Sequence, residues 1–382
     1  LVGGSLVWDR QLPYRPIDGL HEGHQLAWAN CALHGQKPQL DVRTMYGFFQ
    51  ITALASVLKW CGMTVMTFRY WSLTLRLIAI PLFIYGLVQA QLELPLVACA
   101  LLAAIMFSTS LFTMMHYDPL RSLFPLMSLL ILRTQPYESS FKRSGVWRVL
   151  LSGIFCGLSV FWSPEYAIAG AACAMLCLIV SKRVQDVMAW LGAFLVALFV
   201  PLPWAGGRWL ELLANHLKFI PERAGGYGAI PFPWRGYVFT VVPLTGALLL
   251  LTGLFAKRKD VLLAALGAYT LATAYPAIVR ADRLHIDQAA LPLMAATARF
   301  AMRLPRSRGL WFFAVVLIFS TIHAVQSQEP SLLDLRSRWN IEHFREETRK
   351  GWRKLPLEPR MVGLVLDFRE TEFYERVTKL LR

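Results

Sequence analysis

The chain has 382 residues, of which 56% are hydrophobic and only 16% charged, and its formal net charge is +15. Soluble domains are about 45–50% apolar, so this composition, with a mean hydropathy of +0.45, argues against a soluble protein and for a membrane protein. The lysines and arginines form short clusters between apolar stretches, which is typical of cytoplasmic loops, so we expect no nucleic-acid partner.

The first region of the chain, residues 1–67, is predicted to hold the end of a membrane span followed by a large loop. Residues 1–7 are apolar and are interpreted as the end of a first transmembrane helix. Near the end of the loop, residues 46–62 form an apolar segment that contains Lys59. A charge in so short a segment favours a juxtamembrane helix lying flat in the interface over a helix that spans the membrane.

The second region, residues 68–325, is predicted to be a transmembrane bundle of about ten spans. A helical span needs roughly 20 mainly apolar residues, and a spanning segment must satisfy its backbone hydrogen bonds internally. The fold class is therefore an all-α polytopic membrane protein. The predicted spans are 71–90, 94–114, 119–132, 146–162, 166–181, 187–204, 237–256, 261–279, 287–302 and 309–325.

The flat placement of residues 46–62 decides which loops face which side. With that placement the cationic clusters fall on one side, which the positive-inside rule makes cytoplasmic; they lie within 133–148, 182–183, 257–259 and 303–308. The loop 205–236 then faces the periplasm. So does the last region, residues 326–382, where a strand-like stretch at 361–366 and a helix from Thr371 predict a small α/β segment.

Three polar side chains of the first loop are candidates for catalysis. If the chain is helical from residue 19, then Asp18, His21 and Glu22 share one face, because residues three and four apart are neighbours on a helix. A carboxylate there could deprotonate an acceptor hydroxyl. The alternative is that Asp18 is only the N-cap of the helix, and the sequence by itself favours neither interpretation.

The loop resembles a known family. The pattern Asp18-x-x-His21-Glu22-Gly23, then Gly35-x-x-Pro38-x-x-Asp41, then Tyr46-Gly47 is similar to the first periplasmic loop of bacterial GT-C membrane glycosyltransferases, the superfamily of protein O-mannosyltransferases and lipid A aminoarabinose transferases. The resemblance implies a GT-C-type bundle with juxtamembrane helices in that loop. It also implies inverting transfer from a polyprenyl-phosphate-linked sugar to a glycan, lipid or protein acceptor, at a site facing the periplasm.

The same resemblance suggests roles for the acids. A first-loop acid acts as the base in the family, but His21 stands where an Asp usually precedes Glu, so Asp18 and Glu22 are rivals for that role. Asp41 matches the second acid of the pattern. Some members bind a divalent cation through such acids and others work without one, so the sequence names no certain cofactor and no metal ligand.

Cations on the predicted periplasmic side are candidates for binding the donor phosphate. Arg280, Arg283 and His285 lie at the outer end of a predicted span; they could hold a phosphate, or could reach to the headgroups of membrane lipids. Arg121 lies one turn inside another span and could reach the same phosphate or pair with Asp118, whose position before Pro119 is typical of a helix start. A transporter or flippase of lipid-linked sugars is the alternative function.

Overall fold

The computed structural model describes residues 21–44, 46–107, 118–132, 143–180, 184–224, 237–256, 259–280, 286–326, 352–354 and 365–367. These residues are almost entirely helical, which confirms the predicted helical class. Among them, four helices are long and apolar enough to cross a membrane: Val65–Gln89, Val184–Lys218, Val238–Phe255 and Val261–Ile278.

Fourteen α-helices follow one another along the described ranges. They are α1 His21–Leu33, α2 Phe48–Cys61, α3 Val65–Gln89, α4 Leu94–Phe107, α5 Leu120–Leu132, α6 Arg143–Ser159, α7 Pro164–Val180, α8 Val184–Leu198, α9 Leu202–Ala205, α10 Trp209–Ala224, α11 Tyr237–Phe255, α12 Val261–Arg280, α13 Ala290–Ala301 and α14 Arg306–Gln326. Two short 3-10 helices, Gly206–Arg208 and Asp287–Ala289, precede α10 and α13.

The helix α10 corrects one expectation from the sequence. A loop was expected over 205–236, and this expectation is wrong for residues 209–224. The segment carries too many polar residues to span, but Trp209, Leu212, Leu213 and His216 recur at helical spacing and form one inward face. The glycine run at 225–228 lies outside the described residues.

The short helix α5 is the centre of the bundle. It packs against α3, α6, α7, α12 and α13, and all of its side chains except Phe124 are buried. A helix that is apolar all round is expected in such a position, because every face meets protein. Because other helices enclose α5, it can be as short as 13 residues.

Small residues allow several helix backbones to approach closely. A Cβ on Gly267 of α12 would lie 2.5 Å from the Leu250 nitrogen of α11, and one on Gly153 of α6 would lie 2.5 Å from the Trp190 carbonyl oxygen of α8. Such close approach is the common packing mode between membrane helices, where dispersion contacts must replace the hydrophobic effect.

The bundle has two chemically different ends. At one end, Arg299 donates from Nε to Asp260 Oδ2 over 2.8 Å and from Nη1 to the carbonyl oxygen of Ala90 over 3.3 Å. The members of the predicted cytoplasmic clusters whose side chains the structure describes lie at this end, where the loops before α6, α12 and α14 occur: Arg148, Lys259, Arg303, Arg306 and Arg308. The other end, which we call the site end, carries the starts of α2, α3, α5 and α7.

The C-terminal region contributes one pair of short strands. β1 (Trp352–Lys354) pairs antiparallel with β2 (Val365–Asp367), with Arg353 opposite Leu366. The second strand overlaps the strand-like stretch noted in the sequence. The other residues of 327–382 lie outside the described residues, so the small α/β segment stays a prediction.

Candidate functional site

The first-loop acid Glu22 is built into a buried ion pair. Glu22 lies in the first turn of α1 and Arg69 in the first turns of α3, and both are nearly inaccessible, with 2% and 1% of their side-chain surface exposed. Arg69 donates from Nε to Oε1 over 3.1 Å and from Nη2 to Oε2 over 3.0 Å. This two-pronged contact holds the carboxylate in one orientation and ties the first loop to the bundle.

The other two residues of the predicted catalytic triplet are not seen in full. Asp18 lies outside the described residues. His21 begins α1, but its side chain lies outside the described part of the structure. Their predicted proximity to Glu22 therefore stays a prediction.

Asp41 holds the first loop against the segment before α10. It accepts a hydrogen bond from the Lys37 backbone N–H over 2.8 Å and from Arg208 Nη1 over 2.5 Å. The Lys37 N–H, followed by the Arg208 guanidinium, lowers the pKa of Asp41 below its ordinary value. Arg208 also forms a salt bridge with Glu211, so Asp41, the predicted second acid, belongs to an exposed network of ion pairs.

The start of α2 is fixed at the site end by backbone contacts. The Phe49 N–H donates to the Phe161 carbonyl oxygen over 2.9 Å, and a Cβ on Gly47 would lie only 2.3 Å from that same oxygen. The helix ends at Cys61, directly before α3 begins beside Glu22. Both ends of α2 therefore lie at the site end, as a helix lying across the bundle requires.

His216 of α10 completes this contact and was missed by the sequence reasoning. The Phe48 N–H donates to His216 Nε2 over 3.0 Å, and His216 Nδ1 lies 2.9 Å from the Leu212 carbonyl oxygen. Since Nε2 accepts, Nδ1 carries the proton and the ring is neutral. The residue is 1% exposed and acts as an uncharged link between α2 and α10.

Arg121 of α5 is surrounded by partners. It forms a salt bridge with Glu165 of α7, lies 3.4 Å from the Ser163 hydroxyl, and sits 5.6 Å from the ring centroids of both Tyr46 and Tyr166. The sequence suggested pairing with Asp118, and the structure pairs it with Glu165 instead. Its positive charge is thus placed next to the first loop.

Asp118 has the structural role of starting α5. Its Oδ1 accepts from the Leu120 N–H over 2.9 Å and its Oδ2 from Trp162 Nε1 over 2.6 Å, which confirms the helix-start interpretation. Burial raises the pKa of Asp118 to about 6, against the opposing effects of these two bonds and of the charges of Arg121 and Arg76.

Two buried arginines of α3, Arg69 and Arg76, were not among the site residues predicted from the sequence. Arg69, Ser72 and Arg76 recur at spacings of three and four, so they share one face of the helix. All three are buried, and Arg76 is fully enclosed. A usable signal was present, because arginines inside an apolar segment are expensive and are commonly functional.

A third set of buried polar residues lies before α13. Asp287 and Gln288 of the 3-10 helix Asp287–Ala289 are 3% and 1% exposed. This helix packs against α5, α12 and α13. On α5, the Ser122 carbonyl oxygen accepts a hydrogen bond from the Tyr269 hydroxyl of α12 over 2.8 Å.

The predicted phosphate-binding cations fall at the edge of what the structure describes. Arg280 is the last residue of α12, and its side chain lies outside the described part; Arg283 and His285 lie outside the described residues altogether. The described elements on either side of residues 281–285, the end of α12 and the 3-10 helix Asp287–Ala289, lie at the site end. Their role in binding phosphate stays a prediction.

Metal binding was left open by the sequence. Within the ranges that the structure describes, no group of three or more His, Cys, Asp or Glu side chains could hold a metal ion. Among the described acids at the site end, Glu22 and Glu165 pair with arginines, and Asp118 accepts from two N–H donors.

No protein-family model matches the chain, and neither a curated protein nor a solved structure matches it.

Proposed function

We propose that the protein is a membrane-embedded, inverting glycosyltransferase of the GT-C type. It moves a sugar from a polyprenyl-phosphate carrier to a periplasmic or lipid-linked acceptor, which is a glycan, a lipid or a protein. The observation that carries this proposal is the buried Glu22–Arg69 pair. It binds the first-loop acid motif to one end of an apolar helix bundle, where Arg121 and Glu165 also lie buried or nearly so.

The reaction needs a base and a cationic site for the leaving group. The base removes the proton of the acceptor hydroxyl, its oxygen forms a bond to the anomeric carbon, and the bond from that carbon to the carrier phosphate breaks with its electrons on the phosphate. Glu22 directs both oxygens at Arg69, so it is suited to positioning the loop. This favours Asp18, four residues earlier, as the base.

The leaving phosphate carries negative charge, which fixed cations stabilise. We assign this task to Arg280, the last residue of α12, and to Arg283 and His285, which follow it in the sequence. Arg121 is shared with Glu165 and with two tyrosine rings. Its charge is partly balanced there, so we assign it to orienting Tyr46 and the end of the first loop rather than to holding the phosphate alone.

One observation favours the alternative function of a transporter or flippase. Arg76 is fully buried and lies about 16 Å along α3 from Val65, at about 1.5 Å per residue. Transporters place charged groups near the bilayer midplane. An activity assay separates the two functions, because a flippase moves the lipid-linked sugar across the membrane without breaking its bond to phosphate.

The first test is binding of undecaprenyl phosphate by the purified protein, measured by native mass spectrometry against phosphatidylglycerol. The wild type should retain undecaprenyl phosphate selectively, and Arg280→Ala with Arg283→Ala should lose it. The matched control removes two cations at the opposite end, Arg306→Ala with Arg308→Ala, and should bind as the wild type does. Equal binding of both lipids by the wild type would refute the donor assignment.

The second test concerns the chemical step. Asp18→Asn should abolish release of the sugar from its carrier while leaving undecaprenyl phosphate binding intact, since the base touches only the acceptor. Full transfer activity in a chain that carries both Asp18→Asn and Glu22→Gln would contradict a catalytic role for this motif.

A further inference from the structure

Gln288 is a buried amide with unused hydrogen-bonding capacity. Only 1% of its surface is exposed, and neither Oε1 nor Nε2 has a hydrogen-bond partner anywhere in the described part of the chain. Leaving a buried polar group unpaired is unfavourable, because the group has lost its hydrogen bonds to water. Buried side-chain amides in proteins are nearly always paired, so an amide left in this state points to a partner from outside the chain.

The location of Gln288 connects it to the candidate site. Its 3-10 helix packs against α5 and α12, the two helices that the Tyr269–Ser122 hydrogen bond joins. The Ser122 hydroxyl is also fully buried and has no partner among the described residues. Ser122 directly follows Arg121, so unsatisfied polar atoms lie on both elements beside the charged cluster.

The chemistry of an amide selects the ligand. Gln offers one acceptor and an NH₂ donor close together and carries no charge. A sugar hydroxyl is likewise both donor and acceptor, so neighbouring hydroxyls can satisfy both amide atoms at once. A phosphate offers acceptors only; it would pair with Nε2 but bring negative charge against Oε1, so it fits this residue poorly and fits the arginines well.

We propose that Gln288 is a specificity-determining residue that hydrogen-bonds hydroxyls of an uncharged hexose on the donor, with the Ser122 hydroxyl as a second contact. This inference rests on the proposed function and adds that different residues bind the two parts of the donor. Cations bind the phosphate, and a neutral amide binds the sugar. Since a site built to pair a hydroxyl rejects an analogue that lacks it, Gln288 supplies discrimination among sugars.

The test compares Gln288→Met with the wild type in two measurements. The first is the affinity for undecaprenyl phosphate carrying glucose, mannose or galactose, relative to undecaprenyl phosphate alone. We expect the wild type to prefer one of the hexose-bearing lipids. Gln288→Met should reduce that preference about tenfold or more, which is the equivalent of one lost hydrogen-bonding partner, and should leave binding of undecaprenyl phosphate unchanged. Ser122→Ala should reduce the preference by a smaller factor.

The second measurement is thermal unfolding without ligand. Gln288→Met removes an unpaired amide and keeps the side-chain length, so its Tm should equal or exceed that of the wild type. Gln50→Met is the matched control, because Gln50 of α2 is also buried and its Oε1 is unpaired in the described part of the structure. It should keep the sugar preference of the wild type.

The outcomes separate the two proposals. Absence of any undecaprenyl phosphate binding by the wild type refutes the proposed function. Normal binding of that lipid with no preference for any of the three hexoses, or with a preference that Gln288→Met retains, overturns the assignment of Gln288 alone. A clear fall in Tm for Gln288→Met also overturns it, because the amide must then have a partner within the folded chain.

Discussion

Breaking the Glu22–Arg69 pair should destabilise the protein strongly, and removing both partners should largely repair the damage. Both side chains are almost fully buried, so replacing one leaves an uncompensated charge in an apolar environment. Truncating one partner of such a pair costs about 3–5 kcal/mol. We therefore expect a loss of this size for Glu22→Leu and for Arg69→Leu separately.

The chain carrying both substitutions should lose less than either single variant, because an apolar pair needs no charge compensation. The matched control is Glu211→Leu, which breaks the exposed Arg208–Glu211 pair, where 44% and 47% of the side-chain surfaces are accessible, and leaves Arg208 on Asp41. Water screens that pair, so this substitution should change stability little.

The assay is equilibrium unfolding in mixed micelles, followed by tryptophan fluorescence and analysed as a double-mutant cycle. Losses below about 1 kcal/mol for both single variants, or a double variant whose loss equals their sum, would refute the account of a coupled buried pair. Under the proposed function, the folded double variant should still lose transfer activity, because the first loop is no longer held.

Three further predictions concern the site end. Gly47→Ala places a Cβ against backbone atoms and should lower the free energy of unfolding by about 1–3 kcal/mol. The control is Gly23→Ala, which should not destabilise the protein because nothing lies within 4 Å of the added Cβ. Equal effects of the two substitutions would contradict the close contact at Gly47. Because the folded pKa of Asp118 is raised from 3.8 to about 6, its ionisation should lower stability as pH rises through this window, by about 3 kcal/mol. Asp118→Asn should remove that part of the pH dependence of Tm, and an unchanged profile would count against it. Asp41→Asn should lower the hydrogen-exchange protection factors of residues 37–44 at pH 7 by weakening the Arg208 contact. Acidification of the wild type through the lowered pKa of Asp41 should also lower these factors, which are corrected for the pH dependence of intrinsic exchange. Unaltered protection factors would show that the contact does not hold the loop.

The candidate site residues differ in how readily they can be identified from the sequence. The acids of the first loop are visible because they stand in a polar segment with a recognisable spacing. Arg69 and Arg76 were not among the predicted site residues, although Arg69 lies just before the predicted span 71–90 and Arg76 lies within it. Gln288 has no sequence signal at all, since only burial without a partner makes a glutamine unusual.

The sequence by itself determined the helical class and most helix positions, because long apolar stretches have no other way to satisfy their backbone in an apolar environment. It also placed residues 48–61 in a helix and the cationic clusters at one end. The amphipathic helix α10 was missed, since its polar residues outweigh its apolar face when the segment is judged by mean hydropathy.

Only the tertiary structure decided which polar groups meet. Glu22 finds Arg69 at a separation of 47 residues, Arg121 finds Glu165 at 44, and Phe48 finds His216 at 168. Helical periodicity determines which residues share a face of one helix, but it carries no information about which face of another helix lies opposite. That choice depends on packing summed over the whole bundle, and it pairs Glu22, a candidate base, with Arg69 of α3.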